Sequence, residues 1–311
     1  MGKSRIHFSI TRLRSKTYIL IKDSLLGVSI LNSFWIMKMS RSYYHSECVY
    51  LDTNIISIII EHPEWYSRLF NFLFENHFYI AFSDVLLTEL SQAKRKHNDF
   101  NTLFTILPSA EIKSFETIIE EEVKLYPKTR TDNLLFRSAN LELDQQTINR
   151  WLSSDETKAV LEKQLLRAKR MRQHLEIVKT NFPPSNQGKY SIGQAEIFAW
   201  MVTAQWLKAS YPDFMRKLND NKRLLKAKVF SSIQLFAYYV YYKYYLDNRR
   251  PKELSDFGCL FHLFYFPYCK LVVVERGMCT ILSKIKLHSK VLDNVEVKTV
   301  DFLSNNQIFK K

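Results

Sequence analysis

The chain contains the stretch Cys48-Val49-Tyr50-Leu51-Asp52-Thr53-Asn54-Ile55-Ile56, an apolar run that leads into a carboxylate and two small polar residues. Aromatic and β-branched residues in a short run are typical of a parallel strand that is covered on both faces. Ligands of open parallel sheets bind beyond the carboxyl ends of such strands. The pattern therefore predicts that Asp52 lies where chemistry takes place, at the junction of a strand and a helix.

The composition favours an α/β protein with an excess of helix. The chain has 311 residues, with 22 Phe and 17 Tyr but only 6 Gly. This mix suits packed helices better than a turn-rich all-β fold. The length allows two domains or one domain with a large insertion, and we prefer the second.

The charge of the chain favours a polyanionic partner. The formal net charge is +14 and the isoelectric point is near 9.5, with Lys and Arg spread over most of the sequence. Such a field attracts RNA or DNA. Many soluble proteins are also basic, so the charge only supports a conclusion drawn from other features.

The cysteines and the hydropathy indicate a cytoplasmic protein that does not cross a membrane. The four cysteines form no CxxC pair, and a zinc site of Cys259, His262, Cys269 and Cys279 does not fit the usual ligand spacing. No apolar run reaches the roughly 18 to 20 residues that span a bilayer. The N-terminus also lacks the features of a secretory signal.

The order of predicted elements divides the chain into four segments. Strands are predicted at 48–51, 77–83, 271–275 and 295–300, and helices over 54–75 with a break at His62-Pro63, 84–96, 228–245, 256–266 and 277–287. The segments are an N-terminal extension (1–45), the first part of the core (46–96), a mainly helical insertion (97–250) and the second part of the core (251–311). The extension is either an added strand or hairpin, or sequence that lies outside the folded core.

Four acids occupy equivalent places in this order. Asp52 follows the first strand, Glu89 lies in an early helix, Asp256 begins a late helix, and Glu275 follows the late strand. In a parallel sheet these places converge on one edge. Carboxylates gathered there repel one another unless a cation neutralises them, and oxygen ligands alone favour Mg²⁺ or Mn²⁺.

The segments around these acids resemble the motifs of PIN-domain nucleases. They are Val49-Tyr50-Leu51-Asp52-Thr53-Asn54, Ser83-Asp84-Val85-Leu86-Leu87-Thr88-Glu89-Leu90, Ser255-Asp256-Phe257-Gly258-Cys259-Leu260-Phe261-His262-Leu263 with Pro267-Tyr268-Cys269, and Val273-Val274-Glu275-Arg276-Gly277-Met278. The resemblance covers about residues 47–93 and 250–303. It implies a PIN-like parallel sheet flanked by helices, into which the helical middle is inserted.

The resemblance also implies an activity and a set of site residues. The expected function is Mg²⁺- or Mn²⁺-dependent hydrolysis of RNA, leaving a 5′-phosphate, by a toxin or defence effector. Asp52 and Asp256 are the expected main metal ligands, Glu89 and Glu275 complete the acidic pocket, and Asn54 orients water or a ligand. Thr53 is a weaker candidate of the same kind as Asn54. The resemblance allows three kinds of partner: RNA or single-stranded DNA, an antitoxin or immunity protein, and a second copy of the chain in a homodimer.

Two departures from the family pattern favour alternative functions. Val274 and Glu275 stand where relatives carry a small hydroxyl residue and an aspartate, and Cys259 stands where they often carry another acid. The first alternative is a catalytically weakened PIN-like module that binds nucleic acid or a protein. The second is a DNA-directed nuclease.

Basic residues near the motif segments are candidate phosphate contacts. They are Lys94, Arg95, Arg249, Arg250, Lys252 and Arg276. Each taken alone is more often a solvated surface charge. His262 is expected to be a packing or hydrogen-bonding helix residue, outside the ligand set.

Overall fold

The protein divides into two compact units, Met1–Tyr43 and Tyr44–Lys311, in a computed structural model. The structure describes residues 12–13, 16–17, 47–128, 145–181, 192–246 and 257–304. In the first unit, Arg12–Leu13 pairs antiparallel with Lys16–Thr17. A strand or hairpin was one of the two predictions for this segment.

The second unit contains a five-stranded, all-parallel sheet. Its strands are β1 (Cys48–Leu51), β2 (Tyr79–Phe82), β3 (Ser109–Glu111), β4 (Leu271–Val273) and β5 (Glu296–Lys298). The strand order is β3-β2-β1-β4-β5, so β1 lies at the centre. Because the chain moves outward on one side of β1 and then on the other, the strand order reverses next to β1. Ligands bind at this point in open parallel sheets.

Both faces of the sheet are covered. Along β1, Cys48 and Tyr50 join one apolar cluster, whereas Val49 and Leu51 join the cluster on the opposite face. Successive side chains of a strand point to opposite faces, so a strand buried on both sides must be apolar throughout. The run 48–51 meets this condition, and the predicted α/β class is confirmed.

Helices surround the sheet. In chain order they are α1 (Thr53–Glu61), α2 (Pro63–Asn76), α3 (Asp84–Gln92), α4 (His97–Ile106), α5 (Phe115–Leu125), α6 (Gln145–Ser153), α7 (Asp155–Asn181), α8 (Ile192–Ser210), α9 (Pro212–Asp220), α10 (Ser231–Val240) and α11 (Arg276–His288). A π-helical turn, Tyr241–Tyr245, continues α10, and 3-10 turns form Cys259–Phe264 and Phe266–Tyr268.

The helix boundaries follow local signals in the sequence. The predicted break at His62-Pro63 is confirmed, because Pro63 occupies the first turn of α2, where its missing N–H is tolerated. Ser83 caps α3, as predicted, and its Oγ accepts a hydrogen bond from the backbone N–H of Leu86 at 3.1 Å. These two signals fix where α2 and α3, the helices before and after β2, begin.

Strand β3 lies inside the segment for which mainly helix was predicted. Its residues Ser109–Glu111 pair in parallel with β2, from Ile80 opposite Ser109 to Phe82 opposite Glu111. The three residues include no β-branched or aromatic side chain, so they carry no strand signal of their own. Residues 97–128 therefore extend the sheet as well as adding helices.

The aromatic run at the end of α10 packs into the interior. Tyr238, Tyr239, Tyr241 and Tyr244 are all buried. This agrees with the preferred interpretation of the run as a packing helix, in which the rings fill the core. Within the described part of the chain, no helix combines the length and apolar character required to cross a membrane.

Candidate functional site

The carboxyl ends of β1 and β4 are held side by side at the point where the strand order reverses. Leu51 pairs with Val273, and the backbone N–H of Asp52 donates to the carbonyl oxygen of Val273 at 3.0 Å. Asp52 is therefore the first residue beyond the sheet on its central strand. Glu275 follows β4 on the adjacent strand, so both acids lie at the same edge.

Asp52 joins the strand to α1. Its backbone is extended, and its carboxylate accepts a hydrogen bond from the backbone N–H of Thr53 at 2.9 Å. The residue is only 4% exposed. A carboxylate buried to this extent is normally compensated by a cation or by hydrogen bonds.

Glu89 reaches the same place from the second turn of α3. Its Oε2 accepts a hydrogen bond from Thr53 Oγ1. The side chain of Glu89 is 20% exposed, more than that of Asp52. Thr53, the weaker candidate in the sequence, thus links α1 to α3 and holds the Glu89 carboxylate beside Asp52.

His262 completes the cluster and is fully buried. Its Nε2 lies 3.0 Å from Glu89 Oε2, within ion-pair distance, but without the alignment of a hydrogen bond. Its Nδ1 lies 2.5 Å from the hydroxyl of Tyr50, which in turn lies 2.7 Å from Ser83 Oγ. A line of polar contacts therefore runs from Glu89 through His262 and Tyr50 to the start of α3.

The three donor groups are close enough to hold one cation. One ligand atom each from Asp52, Glu89 and His262 lies within 4.8 Å of the other two. Donors that share one cation at about 2.1 Å lie about 3 to 4 Å apart, so only a small contraction is needed. The Nε2 atom of His262 is buried without a hydrogen bond, which also fits a ligand position.

The charges in the cluster shift the pKa of each member. Burial raises the pKa of Asp52, and the charges of Glu89 and Glu275 act in the same direction. Burial acts to raise the pKa of Glu89 as well, but the neighbouring His262 and the Thr53 hydroxyl outweigh it and lower that pKa. For His262, burial favours the neutral ring, yet the charges of Glu89 and Asp52 prevail and raise its pKa. Both shifts favour a charged Glu89–His262 pair beside Asp52 when no cation is bound.

Glu275 and Asn54 lie at the edge of the cluster. Glu275 is exposed at the start of α11, where its charge still acts on Asp52, but it is outside the group of close ligand atoms. Asn54 is exposed in the first turn of α1. The proposed contact of Asn54 with water or a ligand stays a prediction.

Several other predicted residues fall outside the described residues. They are Asp256, Arg249, Arg250 and Lys252. Among the remaining basic candidates, Lys94 and Arg95 form the exposed part of a 3-10 turn after α3. Arg276 is also exposed, and it lies 3.9 Å from Asp301.

Cys259 lies within the electrostatic range of the acids. Burial, followed by the charges of Glu89 and Asp52, raises the pKa of its thiol to about 12. Cys259 therefore stays a neutral thiol at the position where a further acid would add negative charge.

The sequence did not identify His262 and Tyr50 as site residues. His262 is a single basic side chain within the buried apolar run Leu260–Phe266, and Tyr50 is part of a core strand. The predicted hydrogen bonding of His262 is confirmed by its contact with Tyr50. The only signal in the sequence was a histidine within an apolar run, and that signal did not show that His262 would contact Tyr50 and Glu89.

Comparisons with known proteins add no assignment, since the chain matches no protein-family model, no curated protein and no solved structure.

Proposed function

We propose that this protein is a divalent-cation-dependent nuclease that hydrolyses phosphodiester bonds in single-stranded or structured RNA. The observation that carries the proposal is the cluster of Asp52, Glu89 and His262 at the carboxyl edge of a parallel sheet, beside the central strand. The PIN-like motif segments and the net charge of +14 support it.

Asp52 and Glu89 are the residues that would hold the cation, Mg²⁺ or Mn²⁺, with Asp256 as the further ligand that the family resemblance implies. When bound, such a cation stabilises negative charge on a phosphate and lowers the pKa of water. Thr53 fixes the Glu89 carboxylate through its hydroxyl. Glu275, exposed at the edge of the cluster, adds its negative charge to that of Asp52 and completes the acidic pocket.

A basic helix adjoins the site and offers contacts for an RNA backbone. Helix α7 packs against α3, and Thr88 Oγ1 donates to Gln164 Oε1 at 2.7 Å, one residue from Glu89. The exposed residues Lys169 and Arg172 extend along the same helix. Cationic side chains near a cleavage site bind phosphates and release counterions, so RNA binding should weaken with salt.

A second candidate function is a PIN-like module that binds nucleic acid or a protein without cleaving. The Glu89–His262 ion pair favours it, because a protonated imidazole neutralises the acids without a cation. The neutral thiol of Cys259 favours it too, since it adds no charge to attract one.

A cleavage assay separates these functions. The purified full chain is incubated with end-labelled single-stranded RNA, single-stranded DNA and duplexes, in Mg²⁺, Mn²⁺ or EDTA. We expect RNA cleavage that requires the cation and leaves 5′-phosphates. Asp52→Asn and Glu89→Gln should lower the rate at least about 100-fold, because a cation at the phosphate is worth several kcal/mol in the transition state.

Glu75→Gln is the matched control, because Glu75 is an exposed acid at the end of α2. This variant should cleave as the wild type does. RNA binding without cleavage would support the second candidate, and cleavage of DNA alone would indicate a DNA-directed nuclease. Cleavage that persists in EDTA or in Asp52→Asn would contradict the proposed mechanism.

A further inference from the structure

His262 presents a buried nitrogen to the two carboxylates. The residue is 0% exposed and lies in an apolar run. Its Nε2 makes an ion-pair contact with Glu89 Oε2 at 3.0 Å, but it forms no aligned hydrogen bond within the described residues. Buried polar atoms in folded proteins nearly always have a partner. A ligand nitrogen of His262 and one carboxylate oxygen each of Asp52 and Glu89 lie within 4.8 Å of one another, so His262 is placed to act as a third ligand.

The other side of the ring is held in the orientation that a metal-binding histidine needs. Nδ1 lies 2.5 Å from the Tyr50 hydroxyl, which lies 2.7 Å from Ser83 Oγ. If Nδ1–H donates to Tyr50 and Tyr50 donates to Ser83, the lone pair of the ring is left on Nε2. A hydrogen bond from the second nitrogen commonly fixes the tautomer and the ring plane of a ligand histidine.

We infer that His262 Nε2 is a direct ligand of the cation, and that the site therefore prefers a first-row transition cation such as Mn²⁺ to Mg²⁺. The inference rests on the proposed function for the presence of a cation. Tyr50 is then a positioning residue, because it acts on the cation only through His262.

The ligand chemistry gives the direction of the preference. Mg²⁺ favours oxygen ligands and keeps several of its waters. Mn²⁺ also suits carboxylates, but as a transition cation it accepts an imidazole nitrogen more readily than Mg²⁺ does. A ligand set of carboxylates alone would suit Mg²⁺ and Mn²⁺ alike. One imidazole nitrogen beside Asp52 and Glu89 changes that balance without altering the number of acids.

Pulsed electron paramagnetic resonance of the full-length protein loaded with Mn²⁺ tests the inference directly. A coordinated imidazole nitrogen modulates the Mn²⁺ electron spin echo, and we expect this modulation in the wild type. It should be lost in His262→Gln and retained in His97→Gln. His97 is a matched control, because its Nε2 also faces an oxygen, the carbonyl of Ser91 at 3.1 Å, outside the cluster.

Calorimetric titration with MnCl₂ and MgCl₂ gives the second measurement. The wild type should bind Mn²⁺ more tightly than Mg²⁺. In His262→Gln, most of this difference between the two affinities should be lost. Tyr50→Phe should weaken Mn²⁺ binding by about 10-fold, as loss of an outer-shell partner does. The nitrogen modulation should persist in Tyr50→Phe, since the ligand itself remains.

The outcomes separate the inference from the proposed function. Mn²⁺ that binds the wild type, depends on Asp52 and shows no nitrogen modulation would overturn the inference and leave the nuclease proposal intact. A wild-type protein that binds neither cation would overturn both. Because the spectroscopic test uses the wild type, it does not depend on whether a variant folds.

Discussion

Glu122 is a buried acid outside the candidate site, and its replacement tests how burial sets the stability of this fold. It lies in α5, and its Oε1 accepts hydrogen bonds from the backbone N–H of Ser232 at 3.0 Å and from the Tyr268 hydroxyl. Its Oε2 is buried without a hydrogen-bond partner. Burial raises the pKa of Glu122 from 4.5 to about 7, although these hydrogen bonds act to lower it.

The sign of the effect on stability follows from proton binding in the two states. Above pH 4.5 the unfolded chain releases the proton of Glu122, whereas the folded protein keeps it until about pH 7. The unfolded state therefore binds fewer protons in this window, and stability falls as the pH rises. Each pKa unit is worth about 1.4 kcal/mol, so the full loss is about 3 kcal/mol.

Glu122→Gln removes this loss of stability at high pH, because the amide cannot ionise, and it keeps the shape of the protonated acid. The amide oxygen can replace Oε1 as acceptor for Ser232 and Tyr268. We expect the free energy of unfolding to exceed that of the wild type by about 3 kcal/mol at pH 8, and by about 1 kcal/mol or less at pH 5.

Denaturant unfolding followed by tryptophan fluorescence at pH 5 and pH 8 measures this difference. Glu120→Gln is the control on the same helix, because Glu120 is exposed and paired with Lys124 at 2.6 Å. The control should follow the pH dependence of the wild type. A difference between Glu122→Gln and wild type that is equal at both pH values would refute the reasoning, because Glu122 would then ionise as it does in the unfolded chain.

Three further predictions concern the site and the core. In EDTA, Asp52→Asn should match or exceed the wild type in thermal stability, because it removes a buried charge whose pKa is already raised, but it should lose the rise in melting temperature that Mn²⁺ gives the wild type. Cys259→Asp should bind Mg²⁺ more tightly in a calorimetric titration, since it adds a negative charge beside Glu89. Phe82→Ala should lower the free energy of unfolding by about 3 to 5 kcal/mol in denaturant titrations, because Phe82 packs against Phe104 and Trp151.

The centre of the sheet and the position of Asp52 could be predicted because their signals are local. An apolar run that is covered on both faces needs no knowledge of its partners, and the acid after it marks the end of the strand. The position of Glu89 followed from the capped helix that begins at Ser83. Strand β3 was not predicted, because Ser109–Glu111 forms a strand only through its pairing with β2.

The third member of the cluster could not be predicted, because its contacts are not local. Tyr50 and His262 are 212 positions apart in the sequence, and their hydrogen bond forms only when the 3-10 segment Cys259–Phe264 packs on one face of β1. In the sequence, a histidine among apolar residues is most simply a buried hydrogen-bonding residue. That interpretation predicted that the ring of His262 forms hydrogen bonds, but it did not identify the residues that the ring contacts.

The two candidate functions are alternative ways to balance the same buried charge. Asp52 and Glu89 lie together where little water can screen them, so a positive charge beside them relieves their mutual repulsion. In the non-cleaving function a proton on His262 would supply this charge, and in the nuclease a cation bound to the same three donors would supply it. The proton and the cation would both occupy Nε2 of His262, so a stronger Glu89–His262 ion pair would weaken cation binding. A change that weakens this ion pair without removing a ligand should therefore favour the cation-bound state, whereas one that strengthens it should favour the non-cleaving function.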